Sequence, residues 1–251
     1  MWAELLLQQV QLEQNTALNA QLQGHAVICG YGRVGQSIAR FLQREHLPFI
    51  ALDDDPVRVE EACAGEENVH YGDSRRRELL EAVGIVRARL LVVAVDGPAM
   101  GGGFGLACCG DLVLATQRSV FATPEVTLGL PPAQIAPFVW QRLGDRAARE
   151  CLLSGRHHSA LEAQALGLVN AVVADGELEA ALADTLARYH RSAPGAVAAT
   201  KQLLRRLHGP LPDLRDEAAI AFASALRGPE AAAGLQAFAR KQPAPWAEGG
   251  A

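Results

Sequence analysis

Residues Leu90–Thr116, LLVVAVDGPAMGGGFGLACCGDLVLAT, decide how this chain is read. Leu90–Asp96 is an apolar run closed by an aspartate, the pattern of a buried strand. Gly101, Gly102 and Gly103 then open a short apolar helix, Phe104–Cys109, followed by a strand at Asp111–Ala115. The grammar differs on the two sides of Gly97. Upstream, short strands alternate with helices: His25–Cys29, Pro48–Leu52, Asn68–Tyr71 and Leu90–Val95 read as strands. Between them lie helices from Arg33 to Glu45, with Val34, Ile38, Phe41 and Leu42 on one face, from Pro56, and from a Ser74 cap to Val83. Proline is tolerated at a helix start. Downstream, proline and glycine punctuate 124–132, and helices are expected at 145–153, 159–167, 177–190, 195–207, 212–226 and 229–240.

The strand–helix alternation predicts a parallel sheet of β-α-β units. Residues 1–23 read as a lead-in helix or linker, 24–96 as a first lobe and 97–251 as a second. Strand 90–95 with its following helix and strand supplies one more β-α-β step. The expected fold is therefore α/β: a parallel sheet in which 90–95 lies beside 26–29, continuing into the later strand, with a helical C-terminal region beside it.

Composition narrows the partners. The net charge of −5 over 251 residues gives no electrostatic reason to expect nucleic acid or an anionic membrane surface. The one tight basic cluster, Arg75, Arg76 and Arg77, reads as a solvated helix start. Cys29, Cys63, Cys108, Cys109 and Cys151 show no metal-binding or paired spacing and read as small apolar fillers in a reducing, cytoplasmic setting, with no metal. The most apolar stretch, 90–115, carries Asp96, Asp111 and several glycines, so it reads as protein core and no membrane segment is expected.

Gly30, Gly32 and Gly35 spell G-x-G-x-x-G between a strand and a helix. The first glycine permits the tight turn, the second lets backbone approach a pyrophosphate, and the third lets the helix pack on the sheet. The helix N-terminus then offers free N–H groups to phosphates. Asp53 lies 18 residues past Gly35, near the ~20 expected of a ribose-binding carboxylate. The bland alternative is a glycine-rich turn beside solvated aspartates.

HAVICGYGRVGQSIARFL, FIALDDDPVRVEEA, VHYGDSRRRELLEAVGI and ARLLVVAVD, in order over 24–96, resemble the Rossmann-like N-terminal lobe (TrkA-N type) of regulator-of-K⁺-conductance domains attached to cation:proton antiporters. The resemblance implies NAD(H) or AMP binding by Gly30, Gly32, Gly35 and Asp53, with Asp73 in the same cleft. The antiporters' membrane domain has no counterpart in this sequence, so transport is not expected.

From AVDGPAMGGGFGLACCGDLVLAT onward, FATPEVTLGLPPAQIAPFVWQRLG, LSGRHHSALEAQALGLVNAVV and AFARKQPAPW resemble the crotonase (enoyl-CoA hydratase/isomerase) superfamily over residues 92–246. Among its members the likeness is to isohexenylglutaconyl-CoA hydratases. The residues carry a physical logic of their own. A thioester enolate develops negative charge on oxygen, and fixed N–H donors lower that barrier. Gly101, Gly102 and Gly103 at a helix start supply such donors. Taken alone, the same glycines read as a tight turn under a packed helix.

The resemblance places Gly102 as the oxyanion donor and Glu125 as the catalytic proton carrier. It also places Phe238 and Lys241 against coenzyme A. Family hydratases set a second glutamate three residues after the central glycine, and Gly105 stands there; Gln134 is a candidate helper. The first half of the family fold, source of a second oxyanion N–H, has no likeness in 24–96. His157 and His158 read as a solvated loop.

The expected function is hydration of an α,β-unsaturated acyl-CoA in a homo-oligomer, with a truncated nucleotide-binding regulatory lobe attached. The alternatives are a non-catalytic nucleotide sensor of the K⁺-transport type, or a structural chimera with neither activity.

Overall fold

The structure is a computed structural model that describes residues 25–44, 46–72, 77–85, 88, 90–208 and 215–247. The expected lead-in helix at 2–22, the Ser74 cap and Asp73 lie outside those residues. The chain divides into two compact units, one reaching to Leu91 and including Glu179–Lys201, the other comprising Val92–Leu178 and the described residues from Gln202.

In the first unit β1 (Ala26–Cys29), α1 (Arg33–Arg44), β2 (Phe49–Asp53), α2 (Pro56–Ala64), β3 (Val69–Tyr71) and α3 (Arg77–Ala82) follow in order. The strands form a parallel sheet β1-β2-β3, with Ala26 opposite Phe49 and Ala51 opposite Val69. Every residue of β2 is buried, as expected of a central parallel strand. Its side chains alternate between two cores. Phe49 and Ala51 join Ile28, Ala39, Leu42 and Val59, whereas Ile50 and Leu52 join Leu79 and Val83. Asp55 caps α2 by accepting from the Val57 and Arg58 N–H, and Pro56 opens the helix. His25 Nε2 lies 2.7 Å from the Val83 carbonyl oxygen, tying the start of β1 to the end of α3.

The second unit opens with β4 (Val92–Val95), β5 (Pro98–Met100), α4 (Gly102–Cys109), β6 (Leu112–Thr116) and β7 (Val120–Ala122). A 3-10 turn, Pro124–Leu128, leads to α5 (Ala136–Ser154), β8 (His158–Ser159), α6 (Ala160–Ala165) and β9 (Ala171–Val173). Helices α7 (Leu178–His190) from Glu179 and α8 (Pro194–His208) as far as Lys201 belong to the first unit, whereas α9 (Arg215–Leu226) and α10 (Pro229–Ala239) belong to the second. Two three-stranded sheets result, β4-β6-β9, all parallel, and β5-β7-β8, in which β8 is antiparallel.

The sheet expected to join 26–29 with 90–95 does not form. All four residues of β4 pair in parallel with β6 instead, Val92 opposite Leu112 through Val95 opposite Ala115. The reason lies in the side chains: Val93 and Val95 pack into a core with Phe104, Ala107, Val113 and Phe121, a different cluster from that around β1 and β2. The β4–α4–β6 step itself is present as expected.

Residues 98–100, expected as part of a glycine-rich turn, form β5. Gly97, at φ 151°, lets the chain leave one sheet for the other. Ser119 braces that corner, donating from Oγ to the Val95 carbonyl at 2.9 Å and accepting from the Gly97 N–H at 3.3 Å. The helix expected at 145–153 starts at Ala136 and breaks at Gly144, whose φ of 73° is not helical. Among the described residues no helix is long and apolar enough to cross a membrane.

Candidate active site

The second unit builds its site from one backbone tie. The Gly101 N–H donates to the Ala122 carbonyl at 2.9 Å, fixing the start of α4 against the end of β7. Glu125 follows three residues later, in a 3-10 turn opened by Pro124 and closed by Gly129 at φ 75°. This short path puts its carboxylate over the helix start: a Cβ on Gly101 would lie 2.9 Å from Glu125 Oε1. Gly101 itself has φ 51°, so both space and backbone require glycine there. Glu125 Oε2 is buried and has no hydrogen-bond partner. Such an atom is costly unless a ligand or water completes it.

The helix start is equally open. The first intrahelical bond runs from the Gly105 N–H to the Gly101 carbonyl at 3.0 Å, and no side chain caps the helix. The N–H groups of Gly102, Gly103 and Phe104 therefore lack intrahelical acceptors. Gly102 is exposed, with nothing within 4 Å of where its Cβ would stand. A Cβ on Gly103 would make only ordinary contact with Ala99, at 3.9 Å. An unpaired carboxylate oxygen thus stands beside a helix N-terminus whose first N–H groups have no intrahelical acceptor and no side-chain cap. That arrangement can hold an oxyanion and move a proton next to it.

The other expected residues fall as follows. Gln134 is exposed. Gly105 is buried, and a side chain there would meet Ile135 Cγ2 at 2.6 Å, so no second carboxylate fits without moving that isoleucine. Helix α10 packs on the Glu125 turn: a Cβ on Gly129 would lie 2.7 Å from the Glu230 carbonyl carbon, and one on Gly234 the same distance from the Leu128 oxygen. Phe238, near its end, is 69% exposed, and Lys241, at φ 55°, follows the helix end.

In the first unit the three glycines divide their work. Gly30 has φ 96° and donates to the Leu52 carbonyl at 2.7 Å. A Cβ on Gly35 would collide with the Gly30 oxygen at 2.1 Å, whereas Gly32 has open space around it. The Asp53 carboxylate, however, is already engaged. It accepts from the Tyr31 N–H, from the Asp55 N–H at 2.9 Å and from Arg58 Nη1 at 2.8 and 2.9 Å. Burial opposes its ionisation, but these donors outweigh burial and hold its pKa below the ordinary value. The ribose acceptor expected from the sequence is thus filled by the protein's own groups.

The pair His157–His158 also departs from expectation. His157 is exposed, but His158 sits in β8 at 1% exposure with Nε2 3.8 Å from Cys151 Sγ. Burial, and then the nearby Arg156 charge, lower its pKa, so it is a neutral core histidine. Burial drives the Cys108 and Cys151 thiols up to about 12 and about 11, so both are inert fillers as expected. Cys29, Cys63 and Cys109 are exposed instead. Ile135 was not singled out by any sequence motif; its position two residues before Pro137 in a proline-rich turn carries no chemical signature.

Comparison with known proteins adds the following. The family model described as enoyl-CoA hydratase/isomerase matches residues 59–249. A putative enoyl-CoA hydratase of Thermus thermophilus is 38% identical over 156 residues, covering 61% of this chain and 60% of that protein. A putative K⁺ efflux antiporter, KefB, of Alkalimonas amylolytica is 49% identical over 73 residues, covering 29% of this chain and 11% of that protein. The crystal structure of an enoyl-CoA hydratase from Mycobacterium avium superposes with a TM-score of 0.59 at 27% identity, covering 85% of this chain and 86% of that one. The chain therefore spans 60% of its hydratase relative and 11% of the antiporter. The family match begins at residue 59, upstream of the 92 at which the sequence likeness starts.

Proposed function

The chain belongs to the enoyl-CoA hydratase/isomerase family, and from that premise we propose that it hydrates the double bond of an α,β-unsaturated acyl-CoA. In this reading the thioester oxygen accepts the Gly102 N–H, flanked by Gly101 and Gly103, and the growing enolate charge is held by the helix start. Glu125 takes a proton from water as the water oxygen bonds to the β-carbon, and the α-carbon receives the proton. The observation that carries the reading is the buried, partnerless Glu125 Oε2 beside an uncapped helix N-terminus. Phe238 and Lys241 are assigned to the coenzyme A moiety, and the active form to a homo-oligomer. An isohexenylglutaconyl-type acyl chain rests on the GGGFGL run at 101–106 alone.

The test is turnover of crotonyl-CoA by the purified chain and by Glu125→Gln. Loss of a single positioned acid–base group is expected to lower kcat by about 10²–10⁴. Equal rates for the two proteins would end the proposal.

A second reading is favoured by the open space at Gly32 and the left-handed Gly30. In it residues 24–96 are a nucleotide-binding lobe for NAD(H) or AMP, using Gly30, Gly32, Gly35 and Asp53, and residues 97–251 carry the acyl-CoA site. A ribose would have to displace Arg58 from Asp53. A rise in melting temperature with NADH or AMP that disappears in Gly32→Ala supports this reading. No rise at saturating nucleotide removes it.

A further inference from the structure

We propose that Ser119 is a positioning residue for the candidate site: its buried hydroxyl fixes where β5 begins, and so where the Gly101–Gly103 donors stand beside Glu125. The proposal rests on the acyl-CoA reading above. Both halves of the site hang from one short ladder. β5 pairs with β7 from Pro98 opposite Val120 to Met100 opposite Ala122. The glycine donors follow β5 directly, and Glu125 stands three residues past the end of β7. β5 lies at the edge of its sheet, in the order β5-β7-β8, and its first residue, Pro98, has no N–H to give to the ladder. A slip of one residue would move the strand by about 3.3 Å and turn its side chains over. The end of the ladder away from Gly101 therefore needs a pin.

Ser119 supplies it. The residue is 1% exposed and directly precedes β7. Its Oγ accepts from the Gly97 N–H at 3.3 Å and donates to the Val95 carbonyl at 2.9 Å. One hydroxyl thus joins the end of β4, the corner at Gly97 and the start of β7. Two backbone bonds frame it: the Ser119 N–H donates to the Thr116 carbonyl at 3.0 Å, and the Val120 N–H to the Gly97 carbonyl at 3.3 Å. Outside them, Arg118 Nε donates to Asp96 Oδ1 at 2.8 Å, and Thr116 Oγ1 donates to the same oxygen at 3.0 Å. The Arg118 side chain is 48% exposed, and ion pairs at such sites hold geometry weakly in water. The register is decided at the buried hydroxyl, because a polar group deprived of its partner in the core is costly.

The Gly101 N–H reaches the Ala122 carbonyl at 2.9 Å while the ladder keeps this register. Slack at the Gly97 corner would let β5 shift against β7 and carry the Gly102 N–H away from its place beside Glu125. A misplacement of about 1 Å can cost about 10² in rate. Oxyanion donors act most strongly on the transition state, so the loss falls on kcat and leaves KM nearly alone.

The experiment compares crotonyl-CoA turnover, urea midpoints and hydrogen exchange of peptide 97–105 in the wild-type chain, Ser119→Ala, Ser119→Cys and Asn170→Ala. Asn170 makes a brace of the same kind elsewhere, its Oδ1 accepting from the Val113 N–H at 2.8 Å in the β4-β6-β9 sheet. Ser119→Ala is expected to lower kcat by about 10–100-fold with KM within about twofold, and to lose protection across 97–105. Ser119→Cys, which puts a weak donor and acceptor in a similar volume, should give a smaller change in the same direction, and keeps the test decisive if the alanine variant does not fold. Asn170→Ala should lower the urea midpoint but leave kcat and the 97–105 protection at wild-type values. A wild-type kcat in the folded Ser119 variants, or an equal kcat loss in Asn170→Ala, overturns the assignment while leaving the acyl-CoA reading intact. Wild-type protection at 97–105 in Ser119→Ala overturns it as well. A wild-type chain that does not turn over crotonyl-CoA ends the acyl-CoA reading and the catalytic role of Ser119 together.

Discussion

Replacing Gly35 by alanine tests whether α1 sits on the sheet through bare backbone. The added Cβ would stand 2.1 Å from the Gly30 oxygen, 3.0 Å from the Gly30 carbonyl carbon and 3.4 Å from Ile28 Cγ2. Real Cβ contacts stay above 3.0 Å, so helix and strand must part by roughly an ångström, a shift a well-packed core resists. Neither side yields freely. The Gly30 N–H is bonded to Leu52 at 2.7 Å, and Ala39 and Leu42 of α1 are 0% and 2% exposed in the core beneath.

Overpacking of this kind costs about 1–3 kcal/mol, and loosening a buried backbone hydrogen bond adds about 1 kcal/mol. Alanine recovers up to about 1 kcal/mol of helix propensity. The net expectation is a loss of about 2 kcal/mol. Gly32→Ala, with no atom within 4 Å of its Cβ, should stay within about 0.5 kcal/mol of wild type. Urea denaturation with hydrogen exchange of peptides from β1–β3 reads the first unit directly. Wild-type protection in Gly35→Ala would refute the close helix–strand approach, and with it the structural half of the glycine motif.

Two further outcomes follow from buried titratable groups. His158 has a depressed folded pKa, so between that value and its unfolded value of about 6.5 the unfolded chain binds more protons. Its contribution to stability is therefore present above about pH 6.5 and lost as pH falls below it; His158→Gln should flatten that dependence in urea midpoints taken at descending pH, and an unchanged slope would contradict a buried neutral ring. Asp53 is held low instead, so its contribution persists above about pH 4 and is lost as pH falls further. Asp53→Ala leaves the Tyr31 N–H without its acceptor and should cost about 1–3 kcal/mol in the same denaturation assay, where no loss would show that Arg58 and Tyr31 find other partners.

The candidate site was legible where chemistry and backbone constraint coincide. Glycine at 101 is required by positive φ and by the Glu125 oxygen at once, and the P-E-x-x-L-G turn is written in residues that have strong local preferences. Gly30 and Gly35 were legible for the same reason. What escaped depends on volume rather than on motif. That Ile135 fills the place of a side chain at 105 needs the distance between a loop and a helix far apart in sequence. That Arg58 closes on Asp53 needs the geometry of a capped helix start, since Asp54 and Asp55 offer the same charge nearby. His158 looked like its exposed neighbour because a two-residue strand leaves no periodicity to read.

Strand 92–95 marks the limit in the fold. It is apolar throughout although only Val95 is fully buried, and an unbroken apolar run names neither a partner nor a register. Either side of the join at Gly97 supplied a plausible neighbour: β1 by the rhythm of the upstream strands, β6 by the step through α4. The second prevails because β4 shares a core with the helix that follows it. Val93 and Val95 meet Phe104 and Ala107 from α4 and Val113 and Ala115 from β6, all within about twenty residues of chain, and local contacts of this kind cost little loop entropy to form. Pairing with β1 would instead have to mesh those valines with Ile28, Ala39 and Leu42, a set already filled by Phe49, Ala51 and Val59. After the corner at Gly97, β5 pairs with β7, Met100 opposite Ala122, and this pairing delivers Gly101 to Ala122 and Glu125 to the helix start. The strand whose identity was ambiguous in sequence therefore joins the second unit through its own helix and β6, while the candidate site is set by the neighbouring pair β5 and β7.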